Sequence, residues 1–385
     1  MKGNPETIRK INRKNILEAM RQQAPLSRTD LARRVGLSLP SVSRIVDGLI
    51  KEGVFLEQGK GDSRGGRKPR LLEFNPLYRF AFGVDVARET TLVLVDFRGT
   101  PVEKRTLPIS AACGPQRVAE SVVQQIEVMC QQNAIMPEQV IGLGIATPGF
   151  QFKAGQTVGN SPFGGWESSD VVTLFSSLLP YPVSIDNIAR ASAMAEILFG
   201  WGKKFHSFFY FYADWGTGGG IVYRGRIVRG VHRTAGEIGH TVVDVGGIPC
   251  YCGNQGCLEQ YTSTSAILRR MGEKMKREVD FVQLRKEYEQ GNPLVLETLR
   301  EAGLFLGKGV ANVINLLNPQ AVVIGGELGR GFPEYVEAAI TSARESIFAL
   351  AAQVTPIVAS QLSKDEVVLA VAKSVLDHQV EKLIE

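Results

Sequence analysis

Cysteine is scarce. The chain has five in 385 residues, an odd number, and three of them fall between positions 250 and 257. That distribution excludes the evenly spread disulfide framework of a small secreted domain. Histidine is scarcer still, at four. No apolar run approaches the ~18 residues a membrane-spanning helix needs, so no membrane insertion is expected. The first fourteen residues are largely polar and basic and carry no charged-then-apolar leader, so we read no signal peptide and expect a cytoplasmic location. What remains is an ordinary globular composition, 44% hydrophobic and 22% charged, over a length that suits two or three domains.

The net charge of +5 conceals an asymmetry. Residues 1–80 hold 17 Lys and Arg against 8 Asp and Glu, whereas the rest of the chain holds 27 against 31. A basic module on a mildly acidic body points to a polyanionic partner for the module alone, because phosphate contacts supply most non-specific nucleic-acid affinity. A merely solvated basic surface is the alternative that composition leaves open.

The order of elements favours DNA. Ile8, Ile11, Ile16, Ala19 and Met20 recur at helical spacing in a segment that stops before Ala24-Pro25. Ser27 then offers an N-cap with Asp30 at the third helical position, and this short helix ends at Gly36. Ser38-Leu39-Pro40 opens another helix, whose stripe Val42, Ile45, Val46, Leu49 and Ile50 ends near Gly53. Two helices across a tight turn read as helix-turn-helix, with Ser38, Ser41, Ser43 and Arg44 on the face that meets base edges. Two short strands follow, Val54 to Glu57 and Leu71 to Phe74, joined by a glycine-rich basic loop. That loop is a wing, carrying Arg64, Arg67, Lys68 and Arg70; its Gly-Gly-Arg-Lys-Pro-Arg tip suits a narrow A·T-rich minor groove.

Beyond Asn75-Pro76 the texture changes. Phe80 to Val86 and Thr91 to Asp96 read as a hairpin, Val118 to Gln132 as a helix, and Val140 to Ala146 as a buried strand. A second series starts at Phe208 to Tyr212 and Gly220 to Tyr223, passes through a long helical stretch to Leu317, and returns at Ala321 to Gly326. Alternation in two halves predicts an α/β body of two lobes around a cleft. The expected boundaries are a winged helix-turn-helix domain at 1–76 and a two-lobed body at 77–385, with a metal motif at 240–257.

That motif is the sharpest in the chain. His240, Cys250, Cys252 and Cys257 stand in the order H-x9-C-x-C-x4-C, which matches a closed Cys3His zinc site with no position left for a catalytic water. We therefore expect one structural Zn2+ per chain; reduced core cysteines beside a satisfied histidine are the alternative.

Gly236-Glu237-Ile238-Gly239-His240, followed by Cys250-Tyr251-Cys252-Gly253-Asn254-Gln255-Gly256-Cys257-Leu258-Glu259, resembles the signature of the ROK family of repressors and sugar kinases. With a winged helix in front, the chain is most similar to the Mlc, NagC and xylose-repressor branch of transcriptional regulators. The resemblance implies an actin-like, ribonuclease H-like fold over roughly residues 80–385 and a sugar or sugar-phosphate effector in the cleft. It places sugar hydroxyls on Glu237, His240 and Glu259, with further contacts from Asn160 and Asn187. The alternatives are a turn residue for Asn160, a helix cap for Asn187, and solvated or supporting carboxylates for the two glutamates. It also implies an operator DNA partner, a homodimer or homotetramer and, in one branch, a protein partner.

The kinase members need a phosphate-binding turn and a general base. After Gly83-Val84-Asp85 the kinase pattern Gly-Gly-Thr-Lys is replaced by Val86-Ala87-Arg88-Glu89, whose side chains obstruct close approach of backbone to phosphate. The base position falls on Ile188, which cannot accept a proton. Asp186, through a shifted strand end, is the one substitute. Asp214 to Gly220 keeps glycines but is shorter than the kinase loop and reads equally as a hairpin turn; Gly325-Gly326-Glu327 resembles the family's adenosine-side turn. The expectation is a sugar-responsive repressor without enzymatic activity, the alternative a ROK-type sugar kinase with an appended DNA-binding module.

Overall fold

The computed structural model describes residues 4–59, 70–147, 149–152, 156–158, 166, 170–348 and 354–382. Its first helix, Pro5–Gln23, packs with Arg28–Val35 and Leu39–Lys51. The Ser27 hydroxyl accepts from the Asp30 N–H at 3.1 Å and so caps the second helix; Gly36, at φ +67°, ends it in the left-handed region that favours glycine. Ser38 departs from expectation. Its side chain makes no cap bond and lies 2.9 Å from the Ser41 hydroxyl. Strands Phe55–Gln58 and Leu71–Phe74 pair antiparallel, and the two-residue strand Leu26–Ser27 joins them, giving the three-stranded sheet of a winged helix. The basic loop between the two longer strands, with Arg64, Arg67 and Lys68, lies outside the described residues.

The body contains the same sheet twice. In the first lobe Phe80–Val86, Thr90–Val95 and Pro101–Leu107 form an antiparallel meander, and Val140–Thr147 and Val183–Asn187 add to it in parallel. In the second, Phe208–Ala213, Thr217–Tyr223 and Arg226–Val228 form the meander, and Ala321–Gly325 and Ile357–Ala359 add in parallel. Two such lobes make the actin-like fold. Asp214 to Gly216 is accordingly the turn of a hairpin.

Phe80–Val86 is buried throughout because both faces are covered. On one side Phe82, Val84, Leu92 and Leu94 meet Val118, Val122 and Ile126 of helix Pro115–Gln132 and Phe175 of helix Val171–Leu178. On the other, Ala81, Val93 and Val95 meet Val368, Ala372 and Leu376 of the last helix, Lys364–Lys382. A Cβ at Gly83 would collide with the Val368 carbonyl and Ala372, so glycine lets that helix lie directly on the strand. The same apolar cluster continues into Ile16, Leu17, Met20, Leu49 and Phe74 of the winged helix. The second-lobe sheet packs on the long helix Pro293–Leu317 and on Pro333–Ser346. Among the described residues no helix is long and apolar enough to cross a membrane.

Candidate functional site

A cleft between the lobes is lined by Arg88 from the first, Asn187 and Ile188 at the start of helix Ile188–Phe199, and Trp215, Glu237, His240, Tyr251 and Glu259 from the second. Glu237 enters it by a close approach of backbone: Gly236 takes φ +98° and lies against the Gly219 carbonyl, where a side chain would collide. Burial pushes the Glu237 carboxyl up to about 7; Arg190, with Nη1 3.9 Å away, opposes the rise and Glu259 adds to it. Glu259 is 5% exposed and anchored, one oxygen accepting from the Thr217 N–H at 2.8 Å.

His240 closes a short 3-10 turn, Ile238–His240, whose far side is the cysteine loop. Its Nδ1 lies 3.6 Å from Cys250 Sγ, Cys252 and Cys257 Sγ are 3.6 Å apart, and all four ligand atoms fall within 4.8 Å of one another. A tetrahedral zinc with bonds of about 2.0–2.3 Å has ligand–ligand edges of about 3.3–3.8 Å, so the donor set and the two 3.6 Å contacts fit a metal ion. The thiols crowd one another: burial first, then the neighbouring sulfurs, push Cys257 up to about 12. A cation would relieve that crowding by stabilising the thiolates.

Two residues are already engaged. The Asn187 side chain caps its helix, accepting from the Ala189 N–H at 2.8 Å and donating to the Gly149 carbonyl at 2.9 Å. Asp186 is held on both oxygens: Oδ1 accepts from Arg190 Nε at 2.6 Å and Oδ2 from Arg229 Nη2 at 2.9 Å. Both oxygens are thus taken up by guanidinium groups, which argues against Asp186 reaching a substrate hydroxyl by strand shift. Ile188 is 7% exposed and opens the helix. The Arg88 guanidinium stacks 4.0 Å from the centre of the Trp215 ring, joining the lobes.

Of the residues expected to meet sugar, Asn187, Glu237, His240 and Glu259 line this one cleft, while Asn160 lies outside the described residues. Ser38, Ser41 and Arg44 are exposed along the third helix and Ser43 is half-buried. Arg70 is 70% exposed and pairs with Glu57 at 3.2 Å. Sequence reading missed Arg190, Trp215, Tyr251 and Lys364. Tyr251 sat inside the metal motif and was legible there; Lys364 reaches the cleft only through the path of the last helix.

Residues 81–377 match the ROK family and residues 9–55 a winged helix-turn-helix DNA-binding family. The chain is 29% identical over 374 residues to the xylose repressor of Bacillus subtilis (strain 168), covering 96% of both chains. A crystal structure of a ROK family transcriptional regulator, a homologue of the E. coli MLC protein, superposes with TM-score 0.81 and 25% identity over 98% of this chain and 99% of that one. A ROK hexokinase from Thermus thermophilus superposes with TM-score 0.65 and 26% identity, covering 99% of its own chain but 79% of this one. The kinase therefore shares the lobes, while the regulator spans the DNA-binding head as well. By the extent of the match and by the lobes that carry it, the chain belongs to the ROK family.

Proposed function

We propose that the chain is a transcriptional repressor of carbohydrate-metabolism genes. Residues 1–76 bind operator DNA, and residues 77–385 take a small sugar or sugar phosphate in the cleft. The observation that carries this reading is the convergence of Glu237, His240 and Glu259 on one cleft, behind a winged helix, and the family resemblance puts Ile188 at the position of a kinase's base. Carboxylates accept hydrogen bonds from vicinal hydroxyls, and a histidine held by a metal through one ring nitrogen can present its other N–H to an oxygen. His240, Cys250, Cys252 and Cys257 would hold one zinc, supplying a rigid tetrahedral node without an open coordination position. Ser38, Ser41, Ser43 and Arg44 would read bases in the major groove, and Arg64, Arg67, Lys68 and Arg70 would follow the minor groove and phosphates.

A single winged helix contacts little DNA, so the working form is a cytoplasmic homodimer or homotetramer on a pseudo-palindromic operator. A protein partner acting in place of the sugar is a third reading, after the kinase, and rests on the resemblance to the Mlc branch alone. D-xylose is the first effector to try, given the name of the B. subtilis relative. Operator affinity is measured by fluorescence anisotropy across a sugar panel, and ATP consumption is followed with the same sugars. Sugar-dependent change in operator affinity with background ATP turnover is the expected result. Saturable phosphorylation of a sugar would establish the kinase instead.

A further inference from the structure

Arg190 keeps a charge in the interior: its side chain is 2% exposed. It stands in a ring of four alternating charges. Arg190 Nε donates to Asp186 Oδ1 at 2.6 Å, Arg229 Nη2 donates to Asp186 Oδ2 at 2.9 Å, and Arg190 Nη1 lies 3.9 Å from Glu237 Oε1. Backbone closes the ring, since the Ala235 N–H, two residues before Glu237, donates to the Arg229 carbonyl at 3.1 Å. Among the described residues Arg190 is the one cation paired with Glu237. Glu237 lines the cleft, whereas Arg190 is not among the residues lining it.

The guanidinium is itself well fixed. Its helix, Ile188–Phe199, is pressed on the second-lobe strand Thr217–Tyr223 at Gly220, where a Cβ would come within 2.5 Å of the Ala193 Cβ. Asp186, near the end of the first-lobe strand Val183–Asn187, restrains its Nε. A buried guanidinium carries a desolvation cost that facing carboxylates must offset, and Asp186 and Glu237 supply them. A carboxylate that accepts from sugar hydroxyls binds best when its direction is set before the sugar arrives, and a fixed cation beside it sets that direction. Resting on the sugar-cleft reading above, we infer that Arg190 is a positioning residue of the effector site: anchored on Asp186, it holds the Glu237 carboxylate in the direction that meets sugar hydroxyls, without touching the sugar itself.

The test is isothermal titration of the full-length, zinc-loaded protein with D-xylose, D-glucose and D-glucose 6-phosphate, with thermal melting of each variant alongside. Arg190→Gln should bind the preferred sugar about tenfold more weakly. Arg190→Lys, which keeps the charge but not the fork, should lose only about threefold. Because Arg190 acts through Glu237, the same Arg190→Gln change made beside Glu237→Gln should cost less than about twofold more. Unchanged affinity in Arg190→Gln, a lysine variant no better than the glutamine one, or an undiminished loss beside Glu237→Gln would each overturn the inference while leaving the sugar cleft in place. If Arg190→Gln does not fold, the cycle is closed with Arg190→Lys, whose loss must likewise vanish beside Glu237→Gln. Glu237→Gln that binds sugar like the wild type would show the cleft itself to be misassigned. If the wild type binds none of the three sugars at millimolar concentration, the sugar reading and this inference are rejected together.

Discussion

Asp85 lies near the end of a strand buried on both faces, and its Oδ1 has no hydrogen-bond partner among the described residues. Burial pushes its carboxyl up to about 7; Lys364 opposes the rise and Asp214 adds to it. The folded chain therefore keeps a proton that the unfolded chain gives up near its ordinary value of 3.8. Stability falls as pH rises from about 4 to about 7 and then levels off. Asp85→Asn should leave the melting temperature nearly unchanged at pH 4 and raise it by several degrees at pH 8, as read by calorimetry. A gap independent of pH would show that Asp85 ionises freely. The cysteine loop gives a second expectation: about one zinc per chain by elemental analysis, lost with Cys252→Ser together with much of the sugar response. Metal-free protein from a thiol-protected preparation would remove it. The candidate metal ligands were legible because they lie close in sequence at turn spacings, whereas the clamp on Asp186 needs Arg229, 43 residues away, and no local pattern announces it.

The helices Arg28–Val35 and Leu39–Lys51 follow their sequence signals closely, because caps, a glycine stop and an apolar stripe agree. Pro101–Leu107 was not legible: Glu103, Lys104 and Arg105 interrupt its alternation, as expected of an edge strand exposed along much of its length. The Asp214 to Gly220 segment likewise could not be settled between loop and hairpin until the pairing of Phe208–Ala213 with Thr217–Tyr223 was seen. On the third helix, Arg44 is exposed and, among the described residues, makes none of the ion pairs that hold Arg13 and Arg28. Arg44→Ala should change which half-site base is preferred, costing about 1–3 kcal/mol at that position in an operator-variant binding series. Arg67→Ala with Arg70→Ala should instead weaken binding to all sequences and shrink the salt slope. A double variant with unaltered salt dependence counts against the wing contacting phosphate.

Head and body share one apolar cluster, and the helix Lys364–Lys382 runs through it: Lys364 lines the cleft between the lobes while Val368, Ala372 and Leu376 pack in the core that holds the winged helix. No reading of local pattern could join residues 16–74 to residues 368–376. Arg21 lies at that joint. It is stacked over Phe74 at 5.2 Å and Phe97 at 5.5 Å, and its Nε lies 3.4 Å from Asp377 Oδ1. Burial pulls its basicity down and Asp377 opposes this, while among the described residues its Nε and Nη2 make no hydrogen bond. A charge kept in so apolar a place adds little stability, since a Met of similar length would fill the space without desolvation cost. Its contribution is instead to fix the first DNA-binding helix to the last helix of the sensor. Arg21→Met should therefore fold with stability within about 1 kcal/mol of the wild type, and bind sugar alone and operator alone with little change. The coupling between them should fall. Because coupling is reciprocal, the sugar-induced change in operator affinity and the operator-induced change in sugar affinity must shrink by the same factor. Measuring both ratios on one preparation separates a lost joint from a damaged site, and an undiminished ratio in the variant would assign the transmission to contacts other than Arg21.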